Sequence, residues 1–253
     1  AGFGHKQFGE LTHGNMVTIT DEVKQSDLAN TYSLTDGLLE TSARRVTQYV
    51  YNGDYGSNKV KFGAYYGGSS KRNIKNVDLK NNRKNTWGTG LIFNHEIDSI
   101  QNVTVAAGFT RQVSENANKT AYYSNAYALG LAYNFVHTTY GLDLAHKDTK
   151  NKGGAGNKVK NNEVTAVIRQ GLNEDWNVYA MYSYKTEKTL PVGSAYSKST
   201  DRQFLVGTEY YVFKQGSVKV KPFIEWQATR TKYENTFDKD SGKQLDRSRD
   251  FKT

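Results

Sequence analysis

The chain has 253 residues with no cysteine, two prolines, 23 glycines and 18 tyrosines, and a formal net charge of +9. The lack of cysteine excludes a disulfide framework, a thiolate zinc site and a cysteine nucleophile, and no apolar run approaches the roughly 18 residues that a membrane-spanning helix needs. The positive charge leaves several kinds of anionic partner open, while the mean hydropathy of −0.75 does not test for strands that are apolar on one face only.

From the N-terminus, Ala1-Gly2-Phe3-Gly4 already lies inside an apolar-aromatic segment, so the natural start of the protein is expected upstream. One strand is predicted to end near Thr18 and the next to begin near Arg44. Residues 19–42 between them form a connection longer than a structureless loop ordinarily is. It carries Leu28, Tyr32, Leu34, Leu38 and Leu39, apolar surface that the other long connections lack and that must be buried somewhere. Its charges are mostly acidic, with Asp21, Glu22, Asp27, Asp36 and Glu40 against Lys24, and Arg44 and Arg45 follow at once.

Beyond this point the chain alternates with the period of a strand. Val60, Phe62, Ala64 and Tyr66 oppose Lys59, Lys61, Gly63 and Tyr65. Val103, Val105, Ala107 and Phe109 oppose Thr104, Ala106, Gly108 and Thr110, and Tyr127, Leu129, Leu131 and Tyr133 oppose small residues. Trp176, Val178, Ala180, Tyr182 and Tyr184 oppose Asn177, Tyr179, Met181, Ser183 and Lys185. Val218, Val220, Pro222, Ile224 and Trp226 oppose Lys219, Lys221, Phe223, Glu225 and Gln227. One parity is lipid-like throughout, and rings such as Tyr49, Tyr51, Trp87, Phe135, Tyr140, Trp176, Tyr184 and Trp226 stand near the ends of the apolar faces, where an amphipathic ring can meet a headgroup boundary.

Connections take turns between short and long. Asn52 to Asn58, Glu96 to Ile100, Leu172 to Asp175 and Lys214 to Ser217 read as short. Lys71 to Asn85, Val113 to Ala121, Lys147 to Asn162, Thr186 to Thr200 and Tyr233 to Asp246 read as long and polar. This is the asymmetry of a transmembrane antiparallel β-barrel. About 13 strands are predicted, where a single-chain bacterial barrel closes on an even number, and Ser248 to Thr253 is expected to open a further strand that continues beyond the chain. The reading is therefore all-β, with one barrel domain over 1–253, and 19–42 folded into its interior as a constriction.

On the inward parity fall Lys59, Lys61, Arg169, Lys185, Lys219 and Lys221, together with Glu163, Glu209 and Glu225. An acidic loop facing a mostly basic wall sets up a transverse field, which acts over about one Debye length, roughly 8 to 10 Å. Such a field orients polar solutes and disfavours apolar ones.

The stretches Phe8-Gly9-Glu10-Leu11-Thr12-His13-Gly14-Asn15, Arg44-Arg45-Val46-Thr47-Gln48-Tyr49-Val50-Tyr51 and Lys61-Phe62-Gly63-Ala64-Tyr65-Tyr66, in this order around the long acidic loop, resemble the trimeric Gram-negative general porins, most of all the Haemophilus and Pasteurella type. The resemblance implies a 16-stranded barrel in the full-length protein, an inward-folded third external loop, a homotrimer in the outer membrane, and passive diffusion of ions and small hydrophilic solutes. It sets Asp36 and Glu40 where the family has its eyelet acids, although Leu34-Thr35-Asp36-Gly37-Leu38-Leu39-Glu40 departs from the enteric Pro-Glu-Phe-Gly-Gly-Asp signature. Arg44 or Arg45 takes the place of a pore arginine. Which of them faces inward is left open by the strand's parity.

Other readings compete with this one. The less favoured alternative for residues 19–42 is a solvated surface segment, or an amphipathic helix that packs Leu34, Leu38 and Leu39 outside the barrel. The barrel could act mainly as an adhesin through its external loops, whose Lys71, Arg72, Lys75, Lys80, Arg83 and Lys84 suit either simple solubility or contact with lipopolysaccharide phosphates and host surfaces. An outer-membrane enzyme would need a catalytic constellation, and His95 with Ser99 lacks a third member. His5, His13, His95, His137 and His146 have no ligand spacing, so no metal or other cofactor is expected. Gly153-Gly154-Ala155-Gly156-Asn157-Lys158 lacks the hydroxyl residue and helix of a phosphate loop. Aromatic rings sit apart from the basic residues, which argues against nucleic acid.

Overall fold

The computed structural model describes residues 1–70, 82–116, 119–152, 157–190, 197–216, 218–234, 236–237, 244–245 and 248–252. The connection 71–81, with its Lys71, Arg72, Lys75 and Lys80, and the glycine-rich tip 153–156 lie outside the described residues.

Its strands are β1 (Gly2–His5), β2 (Gly9–Val17), β3 (Ser42–Tyr55), β4 (Asn58–Gly67), β5 (Asn82–Asp98), β6 (Gln101–Asn116), β7 (Lys119–Phe135), β8 (Thr138–Asn151), β9 (Lys158–Gly171), β10 (Trp176–Leu190) and β11 (Ser197–Tyr210). There follow β12 (Phe213–Gln215), β13 (Val218–Val220), β14 (Phe223–Glu234), β15 (Thr236–Phe237), β16 (Gln244–Leu245) and β17 (Ser248–Lys252). Thirteen of them form one antiparallel sheet in the order β1-β2-β3-β4-β5-β6-β7-β8-β9-β10-β11-β14-β17. β12 with β13 and β15 with β16 make two small separate hairpins.

Two predicted connections are corrected. The strand expected from Val218 to Trp226 is broken at Pro222, which has no N–H for the ladder, and the expected turn from Lys214 to Ser217 lies largely inside the β12–β13 hairpin. Val113 to Ala121 is mostly strand, because β6 runs to Asn116 and β7 starts at Lys119.

The alternation sorts the two faces of the sheet. Phe62, Tyr66, Trp87, Leu91, Phe93, Tyr127, Leu129, Leu144, Ile168, Tyr182, Phe204, Val206 and Trp226 are all exposed on one face, whereas their chain neighbours on the other face are small, polar or buried. A continuous apolar surface of this extent is lipid-facing. Trp87, Phe109 and Tyr127 form a ladder across three strands with successive centroids 4.9 Å apart. Phe135, eight positions beyond Tyr127 on β7, stands about 27 Å further along the strand. At a tilt near 40° that is roughly 20 Å of height, close to the apolar band of an outer-membrane barrel.

The other face is concave, and the reach of one segment demonstrates it. Ile19 N–H donates to Gln48 on β3, and Asn30 N–H donates to Glu225 on β14. Nine steps separate β3 from β14 in the sheet order, about 43 Å along a flat sheet. Eleven residues reach at most about 40 Å when fully extended, and Ile19–Val23 is a compact 3-10 helix. Only a curled sheet brings both anchors within reach. Glycines floor the path: a Cβ at Gly63 would stand 2.9 Å from the Ile19 side chain, one at Gly108 would stand 2.8 Å from Leu39, and one at Gly130 or Gly141 would overlap the backbone oxygen of Val23 or Gln25.

Candidate functional site

The segment leaves β2 with Thr18 and Thr20, whose hydroxyls reach the carbonyl of Glu40 at 3.2 and 2.7 Å and so pin its two ends together. Ile19 packs with Val46 and Tyr65, and Val23 and Leu39 pack on Ala106 and Ala126. Further out, Gln25 and Ser26 meet Asp143 of β8, with both backbone N–H groups at 2.8 Å and the Ser26 hydroxyl at 2.5 Å. At the far point, Asn30, Thr31 and Tyr32 donate three successive N–H groups to the Glu225 carboxylate at 2.7, 3.1 and 3.0 Å. Tyr179 donates its hydroxyl to the same carboxylate at 2.6 Å, and Asn30 bridges to Tyr179 and Glu209.

On the return, Leu34 is fully buried among Val167, Tyr179, Met181 and Leu205, with Leu28 beside it. Burying such a side chain is worth about 2 kcal/mol, and it sets the segment against the concave face rather than on the outside as an amphipathic helix. Tyr32, expected to share this burial, is 49% exposed. Asp36 donates its N–H to Glu163 at 3.0 Å, and Glu40 donates its N–H to Thr110 at 3.3 Å.

Charge is exchanged in both directions. Loop acids meet wall lysines in the pairs Glu22–Lys61 (2.5 Å), Asp36–Lys185 (2.5 Å) and Glu40–Lys147 (3.5 Å). Wall acids Asp143, Glu163 and Glu225 take the loop's backbone N–H groups instead, satisfying donors that would otherwise be stranded. Asp21 and Asp27 flank Lys24 of the same segment, at 3.8 and 3.3 Å.

The remaining predicted residues fall as follows. Lys59 is exposed near the turn end of β4. Arg169 and Lys221 both engage Glu209, whose side chain is fully buried, the second at 2.6 Å. Lys219 belongs to the β12–β13 hairpin, opposite Lys214, and not to the wall of the main sheet. Arg44 and Arg45 sit in a β-bulge: β2 advances from Gly14 to Met16 while β3 retreats from Val46 to Ala43. Arg45 has φ +53° and is exposed, its N–H donating to Asn15. The buried guanidinium at this rim is that of Arg83, 2% exposed, which donates to the carbonyls of Gly68 (3.0 Å) and Arg44.

Sequence reasoning missed Asp143 and Lys147, although the parity of Gly141, Asp143, Ala145 and Lys147 carries that signal once β8 is extended to Asn151. Arg83, first read as a loop cation, opens β5.

A family model for the Gram-negative porins matches residues 1–222. No curated protein matches the chain. Among solved structures, the in-vitro folded OmpT of Vibrio cholerae, an outer membrane protein, superposes with a TM-score of 0.58 at 16% identity, covering 98% of this chain and 73% of that one. The anion-selective porin from Comamonas acidovorans superposes with a TM-score of 0.57 at 14% identity, covering 90% of this chain and 65% of that one. With its lipid-facing alternation, its antiparallel meander and a family match over most of its length, the chain belongs to the Gram-negative porin family and is a protein of the outer membrane.

Proposed function

We propose that the protein forms a water-filled channel for passive diffusion of ions and small hydrophilic solutes, that residues 19–42 are its constriction, and that it performs no catalysis. The observation that carries this reading is the segment's path across the concave face, with Glu22, Asp36 and Glu40 set against Lys61, Lys185 and Lys147. Charged pairs lining a polar passage favour hydrated, polar solutes over apolar ones. Asp21, Asp27, Arg44, Arg45, Lys59, Arg169, Lys221 and Glu225 set the wider charge balance around that passage in this reading.

A homotrimer of the Haemophilus and Pasteurella type is the assembly we infer, and one solved relative, the Vibrio cholerae protein, is described in a trimer form. The full-length protein reconstituted in planar bilayers should give stepwise, weakly selective conductance. Absence of such steps would sink the proposal. Deleting Leu28 to Leu39 should widen the passage and raise the step size, whereas a barrel serving only as an adhesin would show no such change.

A further inference from the structure

The concave face changes character on the turn side of the 19–42 segment. Asn94 of β5, Asn102 and Thr104 of β6, Asn134 of β7 and Thr139 of β8 stand on the inward parity of four adjacent strands. The register brings them side by side, with Asn94 opposite Thr104, Asn102 opposite Asn134, and Asn134 opposite Thr139. All five are half-buried. Asn134 lies four positions from Gly130 on β7, about 13 Å along the strand, and Gly130 is where the backbone of Val23 crosses the wall. The row therefore lines the passage on the turn side of the constriction.

These side chains are tied to one another. Asn94 Nδ2 donates to Thr104 Oγ1 at 2.9 Å and, at the longer distance of 3.5 Å, to Asn102 Oδ1. Asn134 Nδ2 donates to the same Asn102 oxygen at 2.8 Å, and the Thr139 hydroxyl donates to Asn134 Oδ1 at 2.7 Å. Each amide is thus oriented by its neighbours, and the network leaves particular groups over. Among the described residues, the Asn102 amide nitrogen and Asn94 Oδ1 take no part in a hydrogen bond, and the Thr104 hydroxyl, used as an acceptor, still has its O–H to donate.

None of the five carries a charge. Lys59 opposite Asn94 and Glu96 opposite Asn102 flank them with one charge of each sign, and beyond Thr139 the register continues to Arg169, which is tied to Glu209. The ion pairs of the constriction give way here to free donors and a free acceptor without net charge. A sugar hydroxyl both donates and accepts, and neighbouring hydroxyls on a ring meet such a surface in several orientations. Side chains already held by one another lose little freedom when they meet a solute. The row extends over three interstrand steps, about 14 Å, long enough to contact more than one ring of an oligosaccharide.

We propose that this amide row is a weak binding site for uncharged, polyhydroxylated solutes, oligosaccharides in particular, which it holds for part of their transit. The site deepens the diffusion-channel reading and rests on it. Each contact exchanges a hydrogen bond to water for one to the wall, so the net gain per contact is small. Weak binding of this kind is what passage requires, because a solute must also leave.

The test uses the full-length protein in planar bilayers with maltotriose as the probe. The sugar should add current noise that saturates with its concentration, whereas a short polyethylene glycol of similar size, which has no hydroxyls along its length, should only lower the current by displacing electrolyte. Thr104→Val keeps the side chain's shape and removes its O–H, and Asn102→Leu removes the free amide. Each should weaken the maltotriose response roughly two- to tenfold, the scale of one hydrogen bond, with folding of each variant read from heat-modifiable migration on gels. The response should be the same from about 0.1 M to about 1 M salt, because no charge pair makes it. An equal response to the glycol overturns the proposal, as does a response that fades in molar salt or one that is undiminished in both folded variants. Absence of any native conductance removes the channel reading and this site with it, whereas native conductance steps without a sugar response remove this site alone.

Discussion

Ser26 gives both its backbone N–H and its hydroxyl to one carboxylate oxygen of Asp143, at 2.8 and 2.5 Å, across 117 positions of sequence. Gln25 N–H shares the same carboxylate, at 2.8 and 3.1 Å to its two oxygens. Asp143 is thus the midpoint clamp of the segment. Its replacement Asp143→Ala strands buried donors at a cost of about 1 to 3 kcal/mol each, while leaving the sheet's own ladder intact. The expected outcome is a noisier open-channel current and faster proteolysis near residues 25–35, with little change in barrel melting. A quiet current at the native level would contradict the clamp.

The glycine floor gives a sharper test because it pits one methyl group against backbone. A Cβ at Gly130 would overlap the carbonyl oxygen of Val23, and neither atom belongs to a flexible side chain. Gly130→Ala should therefore displace the segment and change single-channel conductance. At Gly68 nothing lies within 4 Å of an added Cβ, so Gly68→Ala should leave conductance unchanged. Equal behaviour of the two variants would show that the segment does not rest on β7 in the membrane.

Wall lysines Lys61, Lys147 and Lys185 each face a loop acid. A unit charge seen from 8 Å through water contributes about 0.5 kcal/mol, roughly twofold in local ion concentration. Changing all three to glutamine should shift reversal potentials toward cation preference, several-fold in permeability ratio at low salt. The shift should shrink toward nothing in molar salt, where the Debye length falls to about 3 Å. A shift that ignored ionic strength would point to a change in pore shape rather than charge.

Leu34 fills a site walled by β9, β10 and β11 through Val167, Tyr179, Met181 and Leu205. Leu34→Ala should loosen docking by about 2 to 3 kcal/mol, the lower part of the range for a buried leucine. Protease accessibility of the segment reports this directly, and it should rise while detergent-resistant barrel migration stays as it was.

Strands were legible in the sequence because lipid on one side and a packed polar surface on the other impose a strict two-residue period, as Val60 to Tyr66 displays. Their ends were less so. Near the loops both faces are wet, so the contrast that marks β6 beyond Val113 or β8 beyond His146 fades although pairing continues. The bulge at Arg44 and Arg45 defeated parity for a physical reason: one extra residue in β3 moves every earlier position to the other face. Acids and leucines of the 19–42 segment announced that it differs from its neighbours. Which wall groups receive it was not legible, because Asp143, Glu163 and Glu225 act on backbone N–H groups, and a backbone donor leaves no mark in the sequence.

The distance in sequence between the segment and its anchors bears on the order of assembly. Asn30 is fixed by Glu225, made 195 positions later. Closing so distant a contact is slow and entropically costly until intervening hairpins have shortened the effective path. Neighbouring hairpins such as β6 with β7 can form from local contacts, but the backbone N–H groups of residues 30–32 have no acceptor until β14 has joined the sheet. The far point of the segment therefore docks only as one of the last strands joins the wall, and a mutation that delays β14 would lengthen the interval in which residues 30–32 stay undocked.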